Sequence, residues 1–177
     1  MFSLEPFKID LKGLDEGLTT IKFDLNNEYF EAIDAPEINK GQVGVVLSIS
    51  RVSDFYELNF IINGVVTVQC DRCLKDMELS INIDSKLVAK FGEEYSEEDD
   101  LVTVPENEGI LDVAWFIYEF IDLNIPIKHV HAPGKCDPAM MKMLDKHSTT
   151  RSSDVDNGKD IDPRWSKLEK LKTIIKD

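Results

Sequence analysis

The sequence FYELNFIINGVVTVQ, residues 55–69, decides the fold class of this chain. It is rich in β-branched and aromatic residues, and its apolar positions recur mostly at every second residue, which is typical of a β-strand with one buried face. Those positions are Phe55, Leu58, Phe60, Ile62, Val65, Val66 and Val68. Asn63-Gly64 interrupts the run, and this dipeptide favours a tight turn or a bulge. The stretch therefore predicts β-structure that is broken at Asn63-Gly64.

Three further stretches on either side of it predict strands. Residues 18–25 and 77–91 alternate apolar with polar side chains, and residues 43–50 are β-branched and apolar. Residues 27–33 are compatible with one short helical turn or with a bent strand. Because five or six strands follow at short spacing with no helix between them, we expect an antiparallel sheet or an open barrel.

Residues 110–123 change to helical periodicity, with apolar side chains at Ile110, Val113, Ala114, Ile117, Phe120 and Ile121. We expect a helix at about 111–122, with Asp112 as its N-cap and Pro126 beyond its end. It is apolar on most sides, which predicts burial against the sheet. The fold class is therefore α+β, with one buried helix on a β-rich domain.

The C-terminal part of the chain predicts a different organisation. Residues 146–162 contain almost nothing to bury and predict a flexible linker after a folded domain at 1–145. Asp162-Pro163 then begins an amphipathic helix over residues 163–177. Its apolar stripe is Trp165, Leu168, Leu171 and Ile175. We expect this stripe to dock on the domain or on a partner; the alternative is a frayed tail that only adds solubility.

Charge is distributed unevenly along the chain, whose net charge is −14. Residues 146–177 carry eight Lys/Arg against six Asp/Glu, so residues 1–145 carry −16. A domain this acidic does not coat nucleic acid by bulk attraction. The helix at 163–177 could bind RNA phosphates locally, through its outward cations. These are Arg164, Lys167, Lys170 and Lys176.

The first residues do not resemble a signal peptide, because Glu5, Pro6 and Lys8 precede any apolar run. No stretch approaches 18 uncharged apolar residues. We therefore expect a cytoplasmic protein with no membrane partner. In that compartment its three cysteines predict metal ligation or inert thiols, and no disulfides.

Cys70-Asp71-Arg72-Cys73 is the sharpest chemical feature, because two thiolates two residues apart can bind one cation from a turn between strands. His131 and Cys136 offer the two further ligands that tetrahedral zinc requires. We therefore predict a zinc site formed by Cys70, Cys73, His131 and Cys136. The alternatives are reduced thiols with a hydrogen-bonded His131, or a thioredoxin-like redox pair, although that pair normally opens a helix.

Little in the sequence indicates catalysis. There is no phosphate-binding glycine loop, no HExxH segment and no evident nucleophile–base pair. A hydrolase that uses Cys136 with His129 is compatible with the spacing but lacks an orienting motif. The acidic run from Glu93 to Asp100 predicts a solvated loop, with a metal site as the alternative. We therefore do not expect an enzyme.

Three segments resemble the YceD family. Val68-Gln69-Cys70-Asp71-Arg72-Cys73-Leu74 resembles its Cys-x-Arg-Cys-Leu signature. The segment from Glu119 through Leu123 and Pro126 to His131 and Cys136 resembles its Glu-x-x-x-Leu-x-x-Pro and His-x4-Cys pattern. Asp162-Pro163-Arg164-Trp165 resembles its Asn/Asp-Pro-Phe ending, with Arg-Trp where Phe-Ala is commoner. The resemblance covers about residues 4–174.

The resemblance implies a role in ribosome biogenesis, since the bacterial members are associated with accumulation of large-subunit ribosomal RNA. The implied partner is that RNA or a pre-ribosomal particle. An alternative function is an acidic interaction module that binds a basic ribosomal protein, and the charge of residues 1–145 suits this alternative.

Overall fold

A six-stranded sheet forms the centre of the structure, a computed structural model that describes residues 2–14, 17–38 and 40–148. In sheet order its strands are β2 (Leu18–Leu25), β3 (Lys40–Val52), β4 (Phe55–Gln69), β5 (Asp76–Gly92), β7 (Leu101–Pro105) and β6 (Ser96–Glu98). All neighbours are antiparallel except β5 and β7, which are parallel. A separate short ladder pairs β1 (Lys8–Asp10) with β8 (Ile110–Asp112). The predicted α+β class with a largely antiparallel sheet is confirmed, and the sheet is not closed into a barrel.

The chain contains neither a turn nor a bulge at Asn63-Gly64, so that prediction was wrong. β4 is continuous there, and Gly64 pairs with Val43 on β3. A Cβ atom at Gly64 would lie 2.3 Å from the carbonyl oxygen of Gln42 and 2.6 Å from the Cα of Val43. Glycine is needed because the two backbones approach closely, and not because the chain reverses. The reversal between β3 and β4 occurs at Ser53-Asp54, where Ser53 has a φ of 55°.

The described residues also form a 3₁₀ turn (Glu5–Phe7) and three α-helices: α1 (Asn27–Ala32), α2 (Ala114–Leu123) and α3 (Pro138–His147). Residues 27–33 thus form a helical turn, which begins where the side chain of Asn26 accepts a hydrogen bond from the Tyr29 N–H. α1 contacts β2 and β3, and α2 contacts β5. The Tyr29 hydroxyl donates to the carbonyl of Ala114 over 2.6 Å and so joins the two helices. α2 is the buried helix that the periodicity predicted.

α2 begins at Ala114, three residues later than predicted, because residues 110–112 form β8 and pair with β1. Asp112 is not its N-cap. The N-cap residue is Val113, and the Asp112 Oδ1 accepts a hydrogen bond from the Ala114 N–H over 2.9 Å. The carboxylate therefore still satisfies one of the free N–H groups at the start of the helix.

Four short strands and the ten-residue helix α3 were not predicted from the sequence. They are β1, β6, β7, β8 and α3. Part of the acidic run, Ser96–Glu98, is β6 at the edge of the sheet, where all three residues are exposed. The prediction of a simple loop from Glu93 to Asp100 was therefore incomplete.

Backbone contacts divide the chain into two units, Met1–Met141 and Lys142–Asp177. α3 ends at His147, two residues into the predicted linker. The rest of that linker and the predicted helix at 163–177 lie outside the described residues, so the domain limits at 145 and 162 remain predictions. Over the described ranges, no helix combines the length and the apolar character needed to cross a membrane.

Candidate metal centre

The first of two loops at the site connects β4 to β5 and contains Cys70 and Cys73. The N–H of Cys70 donates to the carbonyl of Lys75 over 2.9 Å, and the N–H of Leu74 donates to the carbonyl of Cys70 over 2.9 Å. These bonds close a tight turn in which Leu74 adopts the left-handed backbone conformation, with φ 57°. Both cysteines are buried in this turn, with 0% and 2% of their surface exposed. The hairpin therefore presents two shielded thiols.

The second loop, residues 124–137, follows α2 and contains His131 and Cys136. Two hydrogen bonds attach it to the first loop, one to the main chain and one to the side chain of Asp71. The N–H of Asp71 donates to the carbonyl of His129 over 3.0 Å, and the N–H of His129 donates to Asp71 Oδ2 over 2.7 Å. Further along, Gly134 adopts φ 79°, in a turn that returns the chain toward Cys136. Asp71 thus aligns two loops that are far apart in the sequence.

The structure brings all four predicted ligands together. The ligand atoms of Cys70, Cys73, His131 and Cys136 all lie within 4.8 Å of one another. The Sγ atoms of Cys70 and Cys136 are 3.9 Å apart, and Cys73 Sγ lies 3.4 Å from His131 Nδ1. Tetrahedral zinc with Zn–S bonds of ~2.3 Å separates two sulfur ligands by roughly 3.8 Å. The cluster therefore has the donors and the spacing that a zinc ion requires.

The pKa shifts of the cluster favour thiolates at Cys70 and Cys73 and oppose a third thiolate at Cys136. Burial raises the pKa of Cys70, but backbone N–H groups, that of His131 first, outweigh burial and lower this pKa to about 5. The backbone N–H of Asp137 lowers the pKa of Cys73 against burial. Hydrogen bonding to Cys70 and Cys73 raises the pKa of His131. Burial and the same two thiols raise the pKa of Cys136 to about 11. A divalent cation bound here would stabilise the thiolate of Cys136 and so lower the pKa of this third thiol.

The other interpretations of these residues receive less support. Cys70 and Cys73 lie in a turn between two strands, whereas a thioredoxin-like pair opens a helix. The polar partners of the His129 ring do not include Cys136. The His129 Nδ1 lies 2.9 Å from the carbonyl of Pro126, and its Nε2 lies 3.7 Å from Asp71 Oδ1. The structure therefore does not assemble the cysteine–histidine pair of a hydrolase.

Sequence reasoning missed the role of Asp71, which joins the two loops from a position between two ligands. A carboxylate inside a Cys-x-x-Cys turn was the only available signal, because its partner, His129, is 58 residues away. A cleft of about 580 Å³ also lies beside this loop, with Glu37, Lys40, Asp71 and Leu74 among its lining residues. The predicted RNA-binding residues lie outside the described part of the chain. They are Arg164, Lys167, Lys170 and Lys176.

The fold and the site define a class: an α+β protein in which a β-hairpin turn and a loop after a buried helix carry a Cys3His cluster suited to a metal ion. The chain belongs to the YceD family. The family model described as large ribosomal RNA subunit accumulation protein YceD matches residues 58–172, a range that includes all four residues of the cluster. No match was found among curated proteins or among solved structures.

Proposed function

We propose that this protein is a cytoplasmic ribosome-biogenesis factor that supports the accumulation or processing of large-subunit ribosomal RNA without catalysing a reaction. The family match over residues 58–172 carries the proposal, because that range contains both loops of the metal centre and most of the predicted C-terminal helix. The partner is the RNA itself or a pre-ribosomal particle that contains it.

The metal centre has a structural role in this proposal. Cys70, Cys73, His131 and Cys136 would hold Zn²⁺, which when bound supplies a cross-link between the β4–β5 turn and the loop after α2. Four protein ligands leave no coordination position for a substrate, which is typical of structural and not of catalytic zinc. This donor set supports a non-catalytic function.

Contact with RNA is proposed for the C-terminal helix, where Arg164, Lys167, Lys170 and Lys176 would bind phosphates. The physical reason is local charge. Residues 163–177 carry five Lys/Arg against two Asp/Glu, whereas residues 1–145 have a net charge of −16, so a phosphate backbone would be attracted to the tail.

The same uneven distribution of charge supports a second candidate function. A domain with a net charge of −16 complements a strongly basic ribosomal protein, and it could hold such a protein until the protein is incorporated into the subunit. In that case the acidic surface, and not the tail, is the binding surface.

Co-sedimentation tests the two candidates against each other. The full chain is mixed separately with large subunits, with naked large-subunit ribosomal RNA and with purified basic ribosomal proteins, across a salt series. We expect binding to the RNA, or to particles that contain it, that weakens as salt rises. Binding to the basic proteins alone would replace the first candidate with the second.

Depletion in cells tests the biological role. We expect the ratio of large-subunit to small-subunit ribosomal RNA to fall, and to recover when the wild-type chain or His129→Gln is supplied. His131→Gln, which removes a metal ligand, should restore the ratio poorly. An unchanged ratio after depletion would contradict the proposal.

A further inference from the structure

The two loops that form the metal centre are much less acidic than the rest of residues 1–145. These loops, residues 69–76 and 124–137, carry four Lys/Arg against three Asp/Glu, a net charge of +1. Since residues 1–145 carry −16, the remainder of that range carries −17. We call the four basic residues the knuckle cations: Arg72, Lys75, Lys128 and Lys135.

The three carboxylates of these loops are already engaged within the chain. Asp71 Oδ2 accepts the His129 N–H over 2.7 Å, and Asp137 Oδ1 accepts the Met140 N–H over 2.9 Å. Asp76 Oδ2 lies 3.6 Å from the Lys40 ammonium, which belongs to β3 and not to the loops. The three carboxylates therefore contact other groups and do not pair with the knuckle cations.

The knuckle cations themselves are exposed, and none forms an ion pair within the ranges that the structure describes. Two large apolar side chains on the same loops are also exposed, Leu74 at 59% and Ile127 at 101%. Cations beside exposed apolar groups suit a ligand that has phosphates and base faces, as single-stranded or irregular RNA does.

A small cavity lies between the loops at this surface. It measures about 240 Å³, and its lining includes Arg72 from the first loop and His131, Pro133 and Gly134 from the second. The guanidinium of arginine binds phosphate oxygens through two parallel N–H bonds. Arg72 is therefore the knuckle cation best placed to bind a phosphate next to the metal centre.

We propose that the knuckle cations form a second RNA-contacting surface, distinct from the C-terminal helix, which the metal centre holds in shape. This rests on the proposed function, because it assumes that ribosomal RNA is the partner. The acidic remainder of the domain would then orient the protein, with the metal loops toward the phosphates and the rest of the surface away from them.

The test compares two full-length variants with the same change in charge. In the knuckle variant, Arg72, Lys75, Lys128 and Lys135 are replaced by glutamine. In the control variant the substitutions are Arg51→Gln, Lys22→Gln, Lys86→Gln and Lys90→Gln, all on strands of the sheet. Each set removes one arginine and three lysines. The probe is a labelled transcript of large-subunit ribosomal RNA, and binding is measured across a salt series.

We expect the knuckle variant to bind the transcript at least tenfold more weakly than the control at about 0.1 M salt. The slope of log affinity against log salt should become shallower by about 3, since each lost phosphate contact contributes roughly 0.7–0.9. Zinc content and Tm are measured on both variants. If the knuckle variant loses zinc, two triple variants are compared instead. One keeps Arg72 and replaces the other three knuckle cations, and its control keeps Arg51 and replaces the three control lysines. The expected change in the salt slope is then about 2.

The possible failures are distinguishable. Equal RNA affinity and slope in the knuckle and control variants, with a wild-type chain that binds RNA, would overturn this inference and leave the proposed function intact. A wild-type chain that binds basic ribosomal proteins but no RNA would overturn both.

Discussion

Gly64 shows how closely two backbones can constrain a single residue. β4 lies between β3 and β5, and any side chain at Gly64 would enter the space of the Gln42 carbonyl on β3. Gly44, one pair further along the same ladder, differs, because a Cβ there would have Asn63 O at 3.8 Å as its nearest neighbour. The sequence signal, Asn-Gly, is shared by turns and by such close approaches, so it could not distinguish them.

Gly64→Ala should destabilise the protein by about 2–3 kcal/mol, because the β3 backbone must shift to admit the methyl group. Gly44→Ala is the matched control and should change the free energy of unfolding by less than about 1 kcal/mol. Urea unfolding measures both. Equal effects of the two substitutions would show that β3 moves aside at no appreciable free-energy cost.

A second matched pair of substitutions uses the two histidines of the second loop, His131 and His129. His131→Gln removes a ligand and should reduce zinc from one ion per chain to well below one. The loss of the cross-link should lower stability by about 2–3 kcal/mol, or roughly 5–10 °C in Tm for a chain of this size. The domain should nevertheless stay folded, because its core does not depend on the metal.

His129→Gln, whose ring contacts Asp71 and Pro126, should retain zinc. Elemental analysis of protein purified without chelator and a thermal melt measure these outcomes. Well under one zinc per wild-type chain would contradict the assignment of the site.

Among the strands, length decided what the sequence could predict. The strand predicted at 18–25 is β2 and that at 77–91 is most of β5, because long alternating runs leave a periodic pattern. The β-structure predicted at 55–69 is β4, without the break that was expected at Asn63-Gly64. β1 and β8 have three residues each, too few for any period, and they exist because they pair with each other. The four residues of the Cys3His cluster were predictable from residue type and spacing. The link through Asp71 was not, since it depends on a contact across 58 positions.

Asp71→Ala should loosen the attachment between the two loops of the metal centre. The carboxylate accepts the His129 N–H at 2.7 Å, and its loss leaves only the hydrogen bond of the Asp71 backbone N–H between these residues, so we expect zinc affinity to fall about 10–100-fold. Asp76→Ala is the control on the same hairpin, because it removes only an exposed ion pair with Lys40. Competition with a chromophoric chelator measures both affinities. A similar affinity in the two variants would mean that the four ligands alone align the loops.

The net charge of the whole molecule limits which parts of it can bind RNA. A net charge of −14 keeps bulk polyanions away, so any contact with RNA must come from local groups of cations. The chain offers two such groups, the knuckle cations and the predicted tail helix. Mutation of each group separately should therefore show how much it contributes to the salt dependence of RNA binding.

For the tail, replacing Arg164, Lys167, Lys170 and Lys176 with glutamate should abolish its contribution to RNA binding. Four or five phosphate contacts correspond to a log–log salt slope of up to roughly −3 to −4. The Tm of the domain should remain nearly unchanged, since the substitutions lie outside residues 1–145. Deletion of residues 160–177 with no effect on RNA or subunit association would identify the tail as merely solubilising.

The separation of the ligands along the chain has a consequence for the rates of folding. Cys73 and His131 are 58 residues apart, and the segment between them contains all of β5 and α2. The centre can close only after these elements have folded, so zinc should bind after the rate-limiting step. We expect zinc to slow unfolding and to leave the refolding rate almost unchanged, which stopped-flow measurements with and without the ion would show. The metal would then prolong the lifetime of the native state without guiding the chain to it.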